Sequence, residues 1–157
     1  MTNDATEEKL KPSKILVVDD NSQNLELLVE YLQTIDDVET STAVDGIEAL
    51  EMVQQVEPDL ILLDIMMPRM SGFEVCRKLK SDPNTRDIPI IMVTALNELS
   101  DIERGVESGT DDFLSKPVNR LELITRVKSL LKLRHLKDEL ERTLAYLNDV
   151  ESSPPTP

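Results

Sequence analysis

At 157 residues, with 39% apolar but only 3% aromatic side chains, the chain is long enough for one domain with an aliphatic core plus short appended elements. Its formal charge of -14 argues against direct binding to nucleic acid or to an anionic membrane surface, and its single cysteine, Cys76, excludes an internal disulfide or a cysteine metal cluster. No hydrophobic leader opens the sequence and no apolar run reaches membrane-spanning length, so the expected location is the cytoplasm.

Residues 1–13 read as a flexible polar arm. Residues 14–19 (KILVVD) form a short continuous apolar run ending in acid, the mark of a strand buried on both faces. Asp20 is placed to cap the helix that follows, with Gln23 in the capping-box position and Leu25, Leu28, Val29 and Leu32 at helical spacing. Residues 38–43 alternate apolar and polar, which suits an edge strand. Asp45-Gly46 opens a second helix with Ile47, Leu50 and Val53 expected inward. Residues 60–64 (LILLD) are a second buried strand ending in a carboxylate, Asp64.

Ser71 and Glu74 form a capping box for a helix carrying Phe73, Cys76 and Leu79. Residues 88–94 read as the fourth strand, with Pro89 tolerable at its start. Ser100 and Glu103 are expected to cap a helix with Leu99, Ile102 and Val106 inward, and Gly109 stops it. Residues 112–116 form a short last strand broken by Pro117, and Asn119 with Glu122 caps the last helix. Five strands alternating with five helices predict a doubly wound, flavodoxin-like α/β sandwich with a parallel sheet in the order 2-1-3-4-5.

In such a sheet ligands bind beyond the carboxyl ends of the strands. Those ends carry Asp19 and Asp20 (first strand), Asp64 (third), Thr94 (fourth) and Lys116 (fifth). Taken singly, each has a plain structural use as a cap, a turn residue or a surface charge. Converging, three carboxylates repel one another unless a cation joins them, and hard oxygen ligands with open positions suit Mg²⁺. The ion and Lys116 would then attract a phosphoryl group toward Asp64 as nucleophile, with Thr94 offering a hydroxyl to its oxygens.

On these residues (the Asp19-Asp20 pair, Asp64 within LDIMMPRMSG, Thr94-Ala95 and Lys116-Pro117) the sequence resembles the receiver domains of two-component response regulators, over roughly residues 14–133. The resemblance implies a phosphoryl group donated to Asp64 by a histidine kinase or phosphotransfer protein, and Mg²⁺ held by Asp20, Asp64 and the backbone carbonyl of Met66, with Asp19 assisting. It implies a cis peptide before Pro117 that aims Lys116 at the site. It also implies a switch in which Thr94 and Phe113 remodel the face made by the fourth helix, last strand and last helix, to control an effector protein or an output domain. Met66 and Leu96 stand where the family more often has polar groups that orient a hydrolytic water, which predicts a long-lived phosphorylated state. The stretch from Val75 to Pro89 is similar to receivers attached to cyclic-di-GMP enzymes.

No glycine or proline interrupts residues 118–153, so the last helix is expected to continue well past the sheet as an extension over 134–151, followed by a disordered tail over 152–157. Ile124, Val127 and Leu131 would face the sheet. Leu133, Leu136, Leu140, Leu147 and Val150 then fit a heptad seam, with Thr143 its weak position, and suggest a parallel coiled-coil homodimer through this helix. His135, the sole histidine, reads as a surface residue. The expected activity is therefore switching rather than catalysis. The alternatives are a phosphorylation-independent dimerising scaffold, a magnesium-dependent phosphohydrolase, disfavoured because Met66 offers no second acid, and a flavin carrier, disfavoured by the acids where a phosphate loop should lie.

Overall fold

The computed structural model describes residues 11–95 and 99–152. The elements are β1 (Ser13–Val18), α1 (Ser22–Leu32), β2 (Val38–Ala43), α2 (Gly46–Val56), β3 (Leu60–Asp64), α3 (Gly72–Ser81), β4 (Ile90–Thr94), α4 (Leu99–Ser108), β5 (Asp112–Ser115) and α5 (Arg120–Ser152). All strand pairings are parallel and the order is β2-β1-β3-β4-β5. The doubly wound α/β fold expected from the sequence is the one observed.

Two-residue alternation in the central strands divides the core into two layers. Leu16, Val18, Ile61, Leu63, Ile90 and Met92 meet Ala49, Val53, Phe73, Val75, Cys76 and Leu79 from α2 and α3. Ile15, Val17, Leu60, Leu62, Ile91, Val93 and Leu114 point the other way, onto Leu25, Leu28 and Leu32 of α1 and Leu123, Val127 and Leu131 of α5. Because β1, β3 and β4 must satisfy both layers, they carry almost no polar residue until their carboxyl ends. At those ends the polar side chains emerge.

Local chemistry explains where the boundaries differ from expectation. The cap of α1 is Asn21 rather than Asp20: the Asn21 carboxamide oxygen accepts from Gln23 N and Asn24 N, while Asp20 stays exposed and uncommitted to the helix. Caps of this kind contribute about 1 kcal/mol, so an Asn one residue later can displace an Asp. Asp45, Ser71 and Asn119 cap α2, α3 and α5 as expected. Ile47 is exposed, because Gly46 and Ala49 take the inward positions of α2 and press against α3. Helix α4 begins at Leu99, which puts Ser100 inside its first turn rather than at its cap. Ile102 and Val106 also turn outward; the inward side of α4 is Gly105 and Ser108. Strand β4 starts at Ile90, two residues later than expected, after a loop in which Ile88 N donates back to Thr85 O at 3.0 Å.

Helix α5 buries Leu123, Val127 and Leu131 and then runs on to Ser152 with its apolar side chains exposed. Beyond Leu131 its contacts with the domain include Lys137 Nζ to Asp87 Oδ1 at 2.8 Å and His135 Nε2 beside Ser13 Oγ at 3.4 Å. His135 is exposed, as expected. Among the described residues no helix is long and apolar enough to cross a membrane. Residues 1–10 of the expected arm and 153–157 of the expected tail lie outside the described residues.

Candidate functional site

The strand order reverses between β1 and β3, and the crevice that opens beyond their carboxyl ends is where a parallel sheet can hold a ligand. Asp64 closes β3 and is 3% exposed; Asp19 follows β1 and is 1% exposed. The Asp19 backbone N–H donates to Ala43 O at 3.1 Å, and its Oδ1 accepts from Asn21 N at 2.9 Å, so both its main chain and its carboxylate are fixed. Asp20 projects from the same turn. One carboxylate oxygen from each of Asp19, Asp20 and Asp64 lies within 4.8 Å of the others.

Lys116 reaches into this cluster from the loop after β5. Its Nζ donates to Asp64 Oδ1 at 3.2 Å and to Asp19 Oδ2 at 3.3 Å, while its backbone N–H donates to Thr94 O at 2.9 Å and so ties the loop to the end of β4. The Lys116–Pro117 peptide is cis. Thr94 is nearly buried at the end of β4, beside Ser115 in the register. Met66 is exposed on the loop after β3, and its backbone N–H bonds the Asp64 carboxylate. Gly72 matters here: its N–H donates to Ile65 O at 2.9 Å, and a β-carbon on it would overlap the Asp64 carbonyl oxygen, so only glycine lets α3 press against the end of β3. Leu96 lies outside the described residues.

Three carboxylates against one ammonium leave the cluster short of positive charge. Burial pushes the Asp64 carboxyl up from an ordinary 3.8 to about 6, the Asp19 charge adds to that rise, and Lys116 holds it back. Burial pulls Lys116 downward, yet the charges of Asp64 and Asp19 outweigh it and raise its pKa above the usual lysine range. A cluster built only for stability would not bury a carboxylate at the cost of its ionisation. A hard divalent cation would relieve the deficit, and an all-oxygen donor set with one exposed member suits an ion that keeps water.

Phe113, half-buried on β5, shares with Thr94 and Met92 the sheet face covered by α4: Met92 pairs with Phe113 and Thr94 with Ser115. Its ring tip fills a notch at Gly105 that a β-carbon would occupy. The sequence shows an aromatic on β5, but not this notch, since a glycine inside a helix is ambiguous by itself. Two further side-chain contacts were not evident in the sequence, one beside the site and one at the opposite, amino end of β5. Arg104 lies 4.3 Å over the Phe73 ring, beside the open side of the site, and Arg126 Nη1 clamps both carboxylate oxygens of Asp112 at 2.7 and 2.8 Å.

The family model of the response regulator receiver domain matches residues 15–128. The chain belongs to this family. Response regulator PleD of Caulobacter vibrioides is 50% identical over 130 residues, covering 83% of this chain and 28% of that protein. The DNA-binding dual master transcriptional regulator RpaA of a Synechocystis strain is 40% identical over 119 residues, 76% of this chain and 49% of its own. The receiver domain of the sensor histidine kinase PA1611 from Pseudomonas aeruginosa, solved with a magnesium ion coordinated in its active-site cleft, has 29% identity and a TM-score of 0.71 over 77% of this chain and 98% of that one. The chain thus spans between about a quarter and a half of these two curated relatives, and it is a receiver domain of two-component signalling.

Proposed function

We propose that Asp64 accepts a phosphoryl group from a histidine kinase or phosphotransfer protein and that the resulting aspartyl phosphate resets the face formed by α4, β5 and α5 toward an effector protein or output domain. The observation that carries this reading is Lys116 Nζ held between Asp64 and Asp19, with Asp20 beside them, at the carboxyl edge of a parallel sheet. The acidic cluster fits magnesium, which Asp19, Asp20, Asp64 and the Met66 carbonyl would hold. When bound, it supplies positive charge for the phosphoryl oxygens.

The chain's own residues do the rest. In the transfer, an Asp64 carboxylate oxygen forms a bond to phosphorus as the donor's N–P bond breaks, and the electron pair leaves with the imidazole nitrogen, which takes up a proton. Lys116, already bonded to Asp64, neutralises one phosphoryl oxygen as charge builds. The Thr94 hydroxyl, at the end of the neighbouring strand, offers a bond to another. Moving Thr94 toward the site alters the wall beside Phe113, which shares its face of the sheet, and a ring seated in a one-residue notch has few intermediate positions.

Met66 gives no polar group to orient a hydrolytic water, which supports slow loss of the phosphoryl group and a switch rather than a phosphatase. The exposed heptad face of α5 supports pairing of two copies through the extension. The test is amide NMR of the full chain with magnesium and beryllofluoride, a phosphoryl mimic. Shifts confined to the loops around Asp64 would contradict the reading; shifts that spread to Gly105, Phe113 and the outer side of α5 are expected.

A further inference from the structure

Asp20 and Met66 of the site also line a cleft of about 480 Å³, which they share with Phe73 of α3 and with Asp101 and Arg104 of α4. Arg104 is the one cation lining it among the described residues. Its guanidinium carbon lies 4.3 Å from the centroid of the Phe73 ring, and among the described residues it forms no ion pair and no hydrogen bond. A cation held by stacking keeps its in-plane N–H donors open to a ligand. Lys116, the other cation at the site, is already divided between Asp64 and Asp19.

Covering Phe73 does not by itself need a charge. The ring is 3% exposed, and a methionine side chain at residue 104 would shield it as well. The charge and the forked donors are what stacking leaves unused. They stand exposed in a chain with 31 acidic and only 17 basic side chains, in a cleft whose other charged members are Asp20 and Asp101.

We infer that Arg104 receives the leaving group of small acyl phosphate donors as they pass their phosphoryl group to Asp64. This rests on Asp64 as the phosphoacceptor, proposed above, and adds a residue that selects the donor. Asp64 is buried, so attack in line with the breaking bond sets the leaving group on the far side of phosphorus, toward solvent and the mouth of the site. An Asp64 carboxylate oxygen forms the new O–P bond as the bond between phosphorus and the acyl oxygen breaks. The electron pair stays on that oxygen, and the acyl group departs as a carboxylate without taking up a proton.

The departing carboxylate gains its charge beside Asp19, Asp20 and Asp101, which repel it. The Arg104 guanidinium offers paired N–H donors that match the two oxygens of a carboxylate. Because the charge on the leaving oxygen develops only as the bond breaks, this contact strengthens in the transition state and acts on the rate of transfer. A donor whose leaving group is not an anion gains nothing from it.

The test compares the full-length wild type with Arg104→Gln, with magnesium present, using two donors that differ in leaving group. Acetyl phosphate releases a carboxylate; phosphoramidate releases ammonia. The readout is the second-order rate constant for phosphoryl uptake, followed by intact mass. Arg104→Gln should lower the rate with acetyl phosphate about tenfold, the lower end for a lost hydrogen bond to a charged group, and leave the rate with phosphoramidate within about twofold. Beryllofluoride, which has no leaving group, should titrate both proteins with the same midpoint. Equal rates with acetyl phosphate would overturn the role of Arg104. A fall shared by both donors, or a weaker beryllofluoride titration, would overturn it too, by showing that Arg104 supports the site itself. No uptake by wild type from either donor would instead remove Asp64 as the phosphoacceptor.

Discussion

The ring of Phe113 occupies the space that a side chain at residue 105 would fill, so Gly105 of α4 and Phe113 of β5 are sterically one unit. Gly105→Ala should force the ring aside and cost about 1–3 kcal/mol, as overpacking does. In a Phe113→Leu background the same substitution should cost much less. Denaturant unfolding of the four proteins checks this, and additive costs would show that the two residues are independent.

Asp64 makes the metal-free protein pH-sensitive in a defined direction. Its folded pKa of about 6 lies above the unfolded 3.8, so the native state binds the extra proton between those values, and stability falls as pH rises through that window and is flat above it. In chelator at pH 7, Asp64→Asn should be more stable than wild type by up to about 3 kcal/mol, and the difference should vanish near pH 4. Saturating magnesium should remove most of the wild-type slope. Parallel pH profiles for the two proteins in chelator would contradict this.

Lys80, near the end of α3, joins two loops through one ammonium. Its Nζ donates to Ile88 O at 2.7 Å, to Arg86 O at 3.0 Å and to Asp111 Oδ2 at 2.9 Å, and Asp111 Oδ2 also accepts from Ile90 N at 2.8 Å. Lys80→Met keeps the stem and removes the donors; it should cost about 1.5–3 kcal/mol, seen as a lower urea midpoint with an unchanged slope. A shift near zero would mean that water replaces the ammonium freely.

The buried strands were legible because β1, β3 and β4 must face two apolar layers at once, which leaves continuous apolar runs and confines acids to their ends. The candidate site was legible for the same reason: Asp19, Asp64 and Thr94 are the first polar side chains after those runs. Asp20 shows the limit. In the run Asp19-Asp20-Asn21 any residue can cap a helix, and which one does depends on where the strand releases the chain. The outward turn of Ile47, Ile102 and Val106 was hidden as well, because the inward positions of α2 and α4 went to small residues, Gly46, Ala49 and Gly105, that carry little hydrophobic signal.

Met66 should set the lifetime of the phosphorylated state. Met66→Asn places a polar group where it can orient water toward the aspartyl phosphate and should shorten the lifetime severalfold while leaving phosphoryl uptake intact. Loss of the phosphoryl group, followed by mass spectrometry after removal of the donor, checks this. An unchanged rate would remove Met66 from the account.

The most direct measurement is the intact mass of the full chain after incubation with acetyl phosphate and magnesium. Wild type should gain one phosphoryl group that is lost under alkaline hydroxylamine, and neither Asp64→Asn nor wild type in chelator should gain it. An equal gain by Asp64→Asn, or no gain by wild type with magnesium present, would contradict the assignment of Asp64 as the phosphoacceptor.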